Sequence, residues 1–128
     1  MKNILLLSIL ALMFSNCKKL DGCSTNTVCT EEFRIIYVKV TSSSYHPLLD
    51  SYTITRIKDG KVVLNNSELI MESPFIFSDT EIAETSLEGE KFLFEGYQDE
   101  IKVISEEYIF KHDCCHVIKV SGKDTINL

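Results

Sequence analysis

From residue 33 onward, apolar and polar positions alternate in short runs that Gly, Pro, Asn, Asp and Ser cut off every few residues. A period of two marks strands, because successive side chains point to opposite faces. Residues 33–41 are dense in β-branched and aromatic types, with Ile36, Val38 and Val40 on one face and Phe33, Ile35 and Tyr37 on the other. Apolar on both sides, this run predicts a central strand covered on both faces. Pro47 ends strand character in the serine-rich turn over 42–50. Strands are then expected over 52–57 and 62–64, joined by a hairpin turn with Asp59 and Gly60 at its centre. A turn at 65–67, a short apolar piece at 69–71 and a strand at 75–77 follow, with Pro74 between the last two.

Residues 78–90 are acidic and carry no strand pattern. Ser78 or Asp79 can cap a short helix over 81–87 that Gly89 closes. Phe92 and Phe94 then alternate with charged residues in a strand over 91–95. The next turn is expected at 96–100, followed by a long, bulged strand over 101–110 and a last good one over 114–121. Ser121, Gly122, Lys123 and Asp124 turn the chain into a short tail. Seven or eight short strands with at most one turn of helix predict an all-β antiparallel sandwich.

The start of the chain follows a different rule. Lys2 precedes an apolar run over 4–14 broken only by Ser8, the layout of a secretory signal and too short for a finished membrane-spanning helix. Where small residues take over, Phe14, Ser15, Asn16 and Cys17 resemble the lipobox of bacterial lipoproteins, with Phe14 in the place of the family's leucine. In that family the chain is cut just before the cysteine, whose thiol and new amino group are acylated. The resemblance implies a lipoprotein signal peptide over 1–16 and lipidation of Cys17, with attachment to a membrane of the bacterial envelope, the outer membrane foremost. It divides the rest into an acylated, disulfide-pinned segment over 17–28 and a β-sandwich domain over 29–128. An ordinary cleaved signal, with Cys17 left as one cysteine among five, is the other reading open to these residues.

Cleavage before Cys17 leaves 112 of the 128 residues, enough for one domain. It removes one lysine and no acid, so the net charge of −6 becomes −7. An acidic surface speaks against nucleic acid as a partner and against polybasic attachment to anionic lipid. The acyl chains are then the membrane contact. With Cys17 carrying lipid, Cys23, Cys29, Cys114 and Cys115 remain, in an exported chain where disulfides persist. A bond between the neighbours Cys114 and Cys115 would close a strained ring, and in a strand the two would face opposite ways. Both N-terminal cysteines are therefore expected to reach the C-terminal pair, in either order.

A second resemblance covers residues 37–60. Val38 and Val40, Pro47 and Leu48, Tyr52 to Ile54, and Asp59 with Gly60 stand where a carboxypeptidase-regulatory-like domain has its opening strand, turn, second strand and Asp-Gly hairpin. Residues 43–46 stand where that family usually has glycine. The similarity implies a sandwich of the immunoglobulin/transthyretin-like type and a non-enzymatic binding or spacer role. The stretch from Asp113 to Val117 resembles small bacterial lipoproteins, for which no activity follows.

Candidate chemistry gathers at His112, Asp113, Cys114, Cys115 and His116. Read as a strand, His112, Cys114 and His116 share one face, and two imidazoles with a thiolate are zinc or copper ligands by type. Alternate strand residues lie about 7 Å apart, however, so the two histidines stand too far apart to share an ion. A disulfide at Cys114 would also remove the thiolate. No metal or other cofactor is expected. Thiol redox catalysis calls for Cys-x-x-Cys at a helix N-terminus, and a serine nucleophile for an elbow such as Gly-x-Ser-x-Gly. Neither motif occurs in the chain. The acids Asp79, Glu81, Glu84, Glu88 and Glu90 lack the regular spacing of a calcium loop. Tyr45 and Tyr52, flanking a loop, and Tyr97, in a turn, are the candidate recognition aromatics.

These features point to a lipid-anchored cell-envelope protein whose domain binds or spaces a partner and is not an enzyme. Its expected partners are the membrane, through the lipid on Cys17, and an envelope protein or glycan. A small metal- or thiol-dependent envelope protein centred on residues 112–116 is the alternative. A loop such as 42–50 presented to a hydrolase as an inhibitor is a third reading, which no residue favours.

Overall fold

Alternation becomes extended chain almost wherever it occurs in the computed structural model, which describes residues 20–43, 48–70 and 72–128. The strands are β1 (Ile35–Tyr37), β2 (Lys39–Thr41), β3 (Ser51–Arg56), β4 (Lys61–Asn66), β5 (Phe75–Ser78), β6 (Glu90–Gln98), β7 (Ile101–His112), β8 (Val117–Ser121) and β9 (Thr125–Asn127), with one 3-10 helix, Asp79–Glu84. Five of them form an antiparallel sheet in the order β4-β3-β6-β7-β8. Two short pairs, β1 with β5 and β2 with β9, complete the β structure. The signal peptide over 1–16, Cys17 and Tyr45 lie outside the described residues.

The pleat decides which face is buried. Tyr52 and Ile54 of β3, Phe92 and Phe94 of β6, and Tyr108 and Phe110 of β7 all point to one side and are at most 1% exposed. Phe77 of β5 packs onto them, its ring centroid 4.9 Å from that of Phe92 and 4.4 Å from that of Phe110. Val40 of β2 and Ile126 of β9 join the same apolar cluster. The two short pairs therefore cover one face of the five-stranded sheet, and the core lies between these layers.

Two backbone features make that packing fit. Gly96, near the end of β6, leaves room for Leu49, whose methyl carbons would lie 2.9 and 3.0 Å from an added Cβ. Gly122 holds φ at +121° over the ring of Tyr108, which an added Cβ would meet at 2.1 Å. The Tyr108 hydroxyl donates to the Lys123 carbonyl oxygen at 2.9 Å, so the buried ring also fixes the turn into β9.

The architecture departs from the sequence-based expectation in three places. There are nine strands among the described residues, not seven or eight, because the run over 33–41 changes partners at Val38 and the expected tail forms β9. Its first part pairs with β5, the Val38 N–H goes to the Pro74 carbonyl, and the second part pairs with β9. Nor is the pairing wholly antiparallel, since β2 and β9 run parallel. The run is not covered on both faces either: Phe33, Ile35 and Tyr37 are 59%, 43% and 55% exposed. The short apolar piece over 69–71 contributes, among its described residues, one isolated bridge, Leu49 to Ile70.

The Asp-Gly hairpin and the N-cap are found where the residue chemistry puts them, but the helix runs over Asp79–Glu84 and ends at Thr85, not over 81–87 with Gly89 as its close. Gly60 supplies the left-handed φ, +69°, in the β3–β4 turn. Ser78 caps the 3-10 helix, with Glu81 returning to the Ser78 N–H as a capping box. A prediction follows from the layering. Phe77→Ala empties the contact between β5 and the large sheet, and should cost about 3–5 kcal/mol in denaturant unfolding. Val62→Ala, at a side chain 53% exposed, should change stability by less than about 0.5 kcal/mol.

Candidate functional site

The titratable residues that looked like a strand over 112–116 form the tight connection between β7 and β8. Asp113 causes it: its Oδ1 accepts the N–H groups of Cys115 at 3.0 Å and His116 at 2.8 Å, drawing the chain back on itself. The Asp113 N–H donates to the His116 carbonyl at 3.2 Å, and His112 Nδ1 accepts the Cys114 N–H at 3.1 Å. Cys114 takes φ of +77°, a left-handed conformation that a side chain with a Cβ rarely adopts. The last good strand accordingly starts at Val117, three residues later than the pattern suggested. The N–H groups of His116 and Cys115 hold the Asp113 carboxyl below the usual aspartate range, against the effect of its burial.

Because the segment turns, both adjacent cysteines can face the N-terminal segment. Cys23 is bonded to Cys114 and Cys29 to Cys115, with Cα atoms 5.6 and 5.3 Å apart. The sequence separations are 91 and 86, so each bond closes most of the domain into a loop. Disulfides typically stabilise a fold by about 2–4 kcal/mol each. The neighbouring cysteines are not bonded to each other, as expected, although they stand in a turn and not on opposite faces of a strand.

A second fastening lies beside the sulfurs. The Thr30 hydroxyl is 3.1 Å from His116 Nε2, and His116 Nδ1 is 2.8 Å from Asp79 Oδ2. Asp79 Oδ2 also accepts the Arg34 N–H at 2.9 Å, and Oδ1 accepts the Val117 N–H at 2.7 Å. Burial opposes the charge on Asp79, but the bonds from His116, Arg34 and Val117 outweigh it and hold its carboxyl below the usual range. An ionised carboxylate accepts only, so His116 Nδ1 donates to Asp79 Oδ2, while Nε2 shares a hydrogen bond with the Thr30 hydroxyl. Hydroxyl, imidazole and carboxylate stand in the order of a nucleophile relay. Both carboxylate oxygens also accept backbone N–H groups, ahead of β1 and at the start of β8, so the row straps three segments together.

The metal candidates separate accordingly. His112 and Cys114 stay together and gain Cys23, whose Sγ is 3.9 Å from His112 Nδ1, and the three ligand atoms lie within 4.8 Å of one another. The two sulfurs are joined to each other, which leaves one imidazole and no thiolate. His116 belongs to the strap and turns to Asp79. The acids over 79–90 are dispersed among partners: Glu81 in the helix cap, Glu84 on Arg56 and Lys61, and Glu90 on Lys58.

Two of the aromatic candidates are corrected. Tyr52 is 1% exposed, and its hydroxyl donates to the Phe75 carbonyl at 2.7 Å. Its inward place on the pleat of β3 makes it core. Tyr97 is half-buried within β6, not in a turn, because that strand continues to Gln98. The turn consists of Asp99 and Glu100, both at positive φ as a two-residue hairpin requires. Sequence reasoning missed Thr30 and the role of Asp79, which lie 86 and 37 positions from His116 and share no local pattern with it.

Compared with family models, curated proteins and solved structures, the chain finds no match. Among the described residues, no helix is long and apolar enough to cross a membrane.

The strap makes a signed pH prediction. Asp79 and Asp113 titrate lower when folded than the roughly 3.9 of an unfolded aspartate, so the unfolded chain binds protons first as pH falls. Their contribution is present above about pH 4 and is lost as pH drops through the lower folded values. Asp79→Asn should cost about 1–3 kcal/mol at pH 7 and flatten the acid limb of stability against pH, measured by denaturant unfolding from neutral pH downward. A separate variant, Cys29→Ser with Cys115→Ser, should lower stability by about 2–4 kcal/mol in the same assay.

Proposed function

We propose that this protein is a lipid-anchored bacterial cell-envelope protein, held by acyl chains on Cys17, whose β-rich domain is a binding or spacer module without catalysis. In this reading the layered sheets are a sandwich of the immunoglobulin/transthyretin-like type, and the partner is an envelope protein or glycan. The observation that carries it is the pair of cross-links from the N-terminal segment to the β7–β8 turn. Such bonds persist in an exported protein and would be kept reduced in the cytosol. The apolar run, the lipobox-like residues 14–17 and the odd fifth cysteine fit the same location. Two or more acyl chains give a firm anchor where an acidic surface alone would give none.

The sulfurs that a metal- or thiol-dependent centre would need are the ones spent on cross-links, which favours the non-catalytic reading over its alternative. Intact mass of the protein isolated from the membrane fraction tests the proposal. The expected species starts at Cys17 and carries the mass of a diacylglyceryl group and an amide-linked acyl chain. A mature chain starting elsewhere, or starting at Cys17 without lipid, would contradict it.

A further inference from the structure

The exposed face of β1 continues past the strand. Phe33, Ile35, Tyr37 and Lys39 project outward in turn, while Ile36, Val38 and Val40 between them point inward. Three large apolar side chains, each between 43% and 59% exposed, thus form one row ending in a lysine. Contiguous apolar surface of this kind marks an interaction site, whereas isolated exposed apolar residues do not. A row of aromatic, aliphatic and aromatic side chains closed by lysine suits a membrane–water interface. There tyrosine sits at the headgroups, and lysine buries its stem while its charge stays wet.

The way the chain is fastened brings a bilayer to this row. Cys23, where the tether leaves the domain, is bonded to Cys114, and Asp79 ties His116 of the same turn to the Arg34 N–H, next to Phe33. The row therefore begins at the corner from which the tether departs. Six residue steps separate Cys17 from Cys23, a reach of about 20 Å when fully extended. Lipid holding Cys17 is within that distance of the corner.

Resting on the lipid anchor proposed above, we infer that Phe33, Ile35, Tyr37 and Lys39 lie against the interface of the same bilayer and set the domain's orientation on it. Glu31 and Glu32, exposed beside the row, and the acidic balance of the chain select a zwitterionic rather than an anionic surface.

The chain contains no tryptophan, so a single introduced indole reports its own surroundings. Full-length acylated protein carrying Phe33→Trp, and separately Tyr37→Trp, is reconstituted into phosphatidylcholine vesicles with brominated acyl chains, which quench indoles at the interface. Val62→Trp is the control. Val62 is exposed and pairs with Thr55, one step along the pleat from buried Ile54, on the face of the large sheet turned away from the core. The expected result is a blue shift and loss of most fluorescence at positions 33 and 37, with position 62 unshifted and bright. Intact mass establishes acylation in the same samples. Acylated protein with all three positions bright overturns the inference and leaves the anchor standing. A blue shift at 33 without quenching assigns the row to a protein surface or a second copy, and also overturns it. Equal quenching at 33 and 62 removes the preferred orientation, and an unacylated chain removes the anchor together with the inference.

Discussion

The attachment of an otherwise unsupported N-terminal segment to the β7–β8 turn is the constraint on which the rest of the molecule depends. From residue 20 to residue 33 no side chain is buried, and Val28 is 93% exposed. Burial of apolar area cannot order such a segment, because it contributes none to the core. Two sulfur–sulfur bonds and the Thr30–His116–Asp79 row do so instead. They bring the chain to Arg34 at a defined position, and β1 starts from there. Asp113 is the residue that makes this geometry available, because its carboxylate bends residues 112–116 so that both cysteines meet the same segment.

From that start the chain serves both halves of the covering layer. β1 pairs with β5, the chain passes Val38 beneath Pro74, and β2 then runs parallel to β9, close to the C-terminus. The second and last strands are thereby joined, so the fold holds contacts that are distant in sequence at both ends. Phe77, Phe92 and Phe110 pack between the layers and supply the apolar burial that the N-terminal segment lacks. Labour is divided: aromatic packing stabilises the sheets, and covalent and charged contacts place the N-terminal segment.

Much of the sheet was legible in the sequence because strands, hairpins and caps are local signals. Asp59 with Gly60, the alternation around Phe92 and Phe94, and the Ser78–Glu81 cap each act within a few residues. Cysteine number led to two staples, though not to their order. What stayed hidden depends on distance or on context. The strand expected over 114–121, with Val117 and Ile118 apolar, disguised a turn set by one aspartate side chain. Tyr52 reads as a loop aromatic beside polar neighbours, yet the pleat turns it inward. A strand apolar on both faces looks the same whether a second layer covers it or a partner does, so the exposed row beside β1 was read as core. Thr30, Asp79 and His116 meet only in three dimensions.

The reading of this protein as an anchored envelope module rests on its cysteines being oxidised where it resides. Trapping thiols with a membrane-permeant alkylating agent in living cells, before lysis, and mapping the labelled positions by mass tests that directly. The account predicts no label on Cys23, Cys29, Cys114 or Cys115, with Cys23 recovered bonded to Cys114 and Cys29 to Cys115. Alkylation of these four residues in the cell would contradict it.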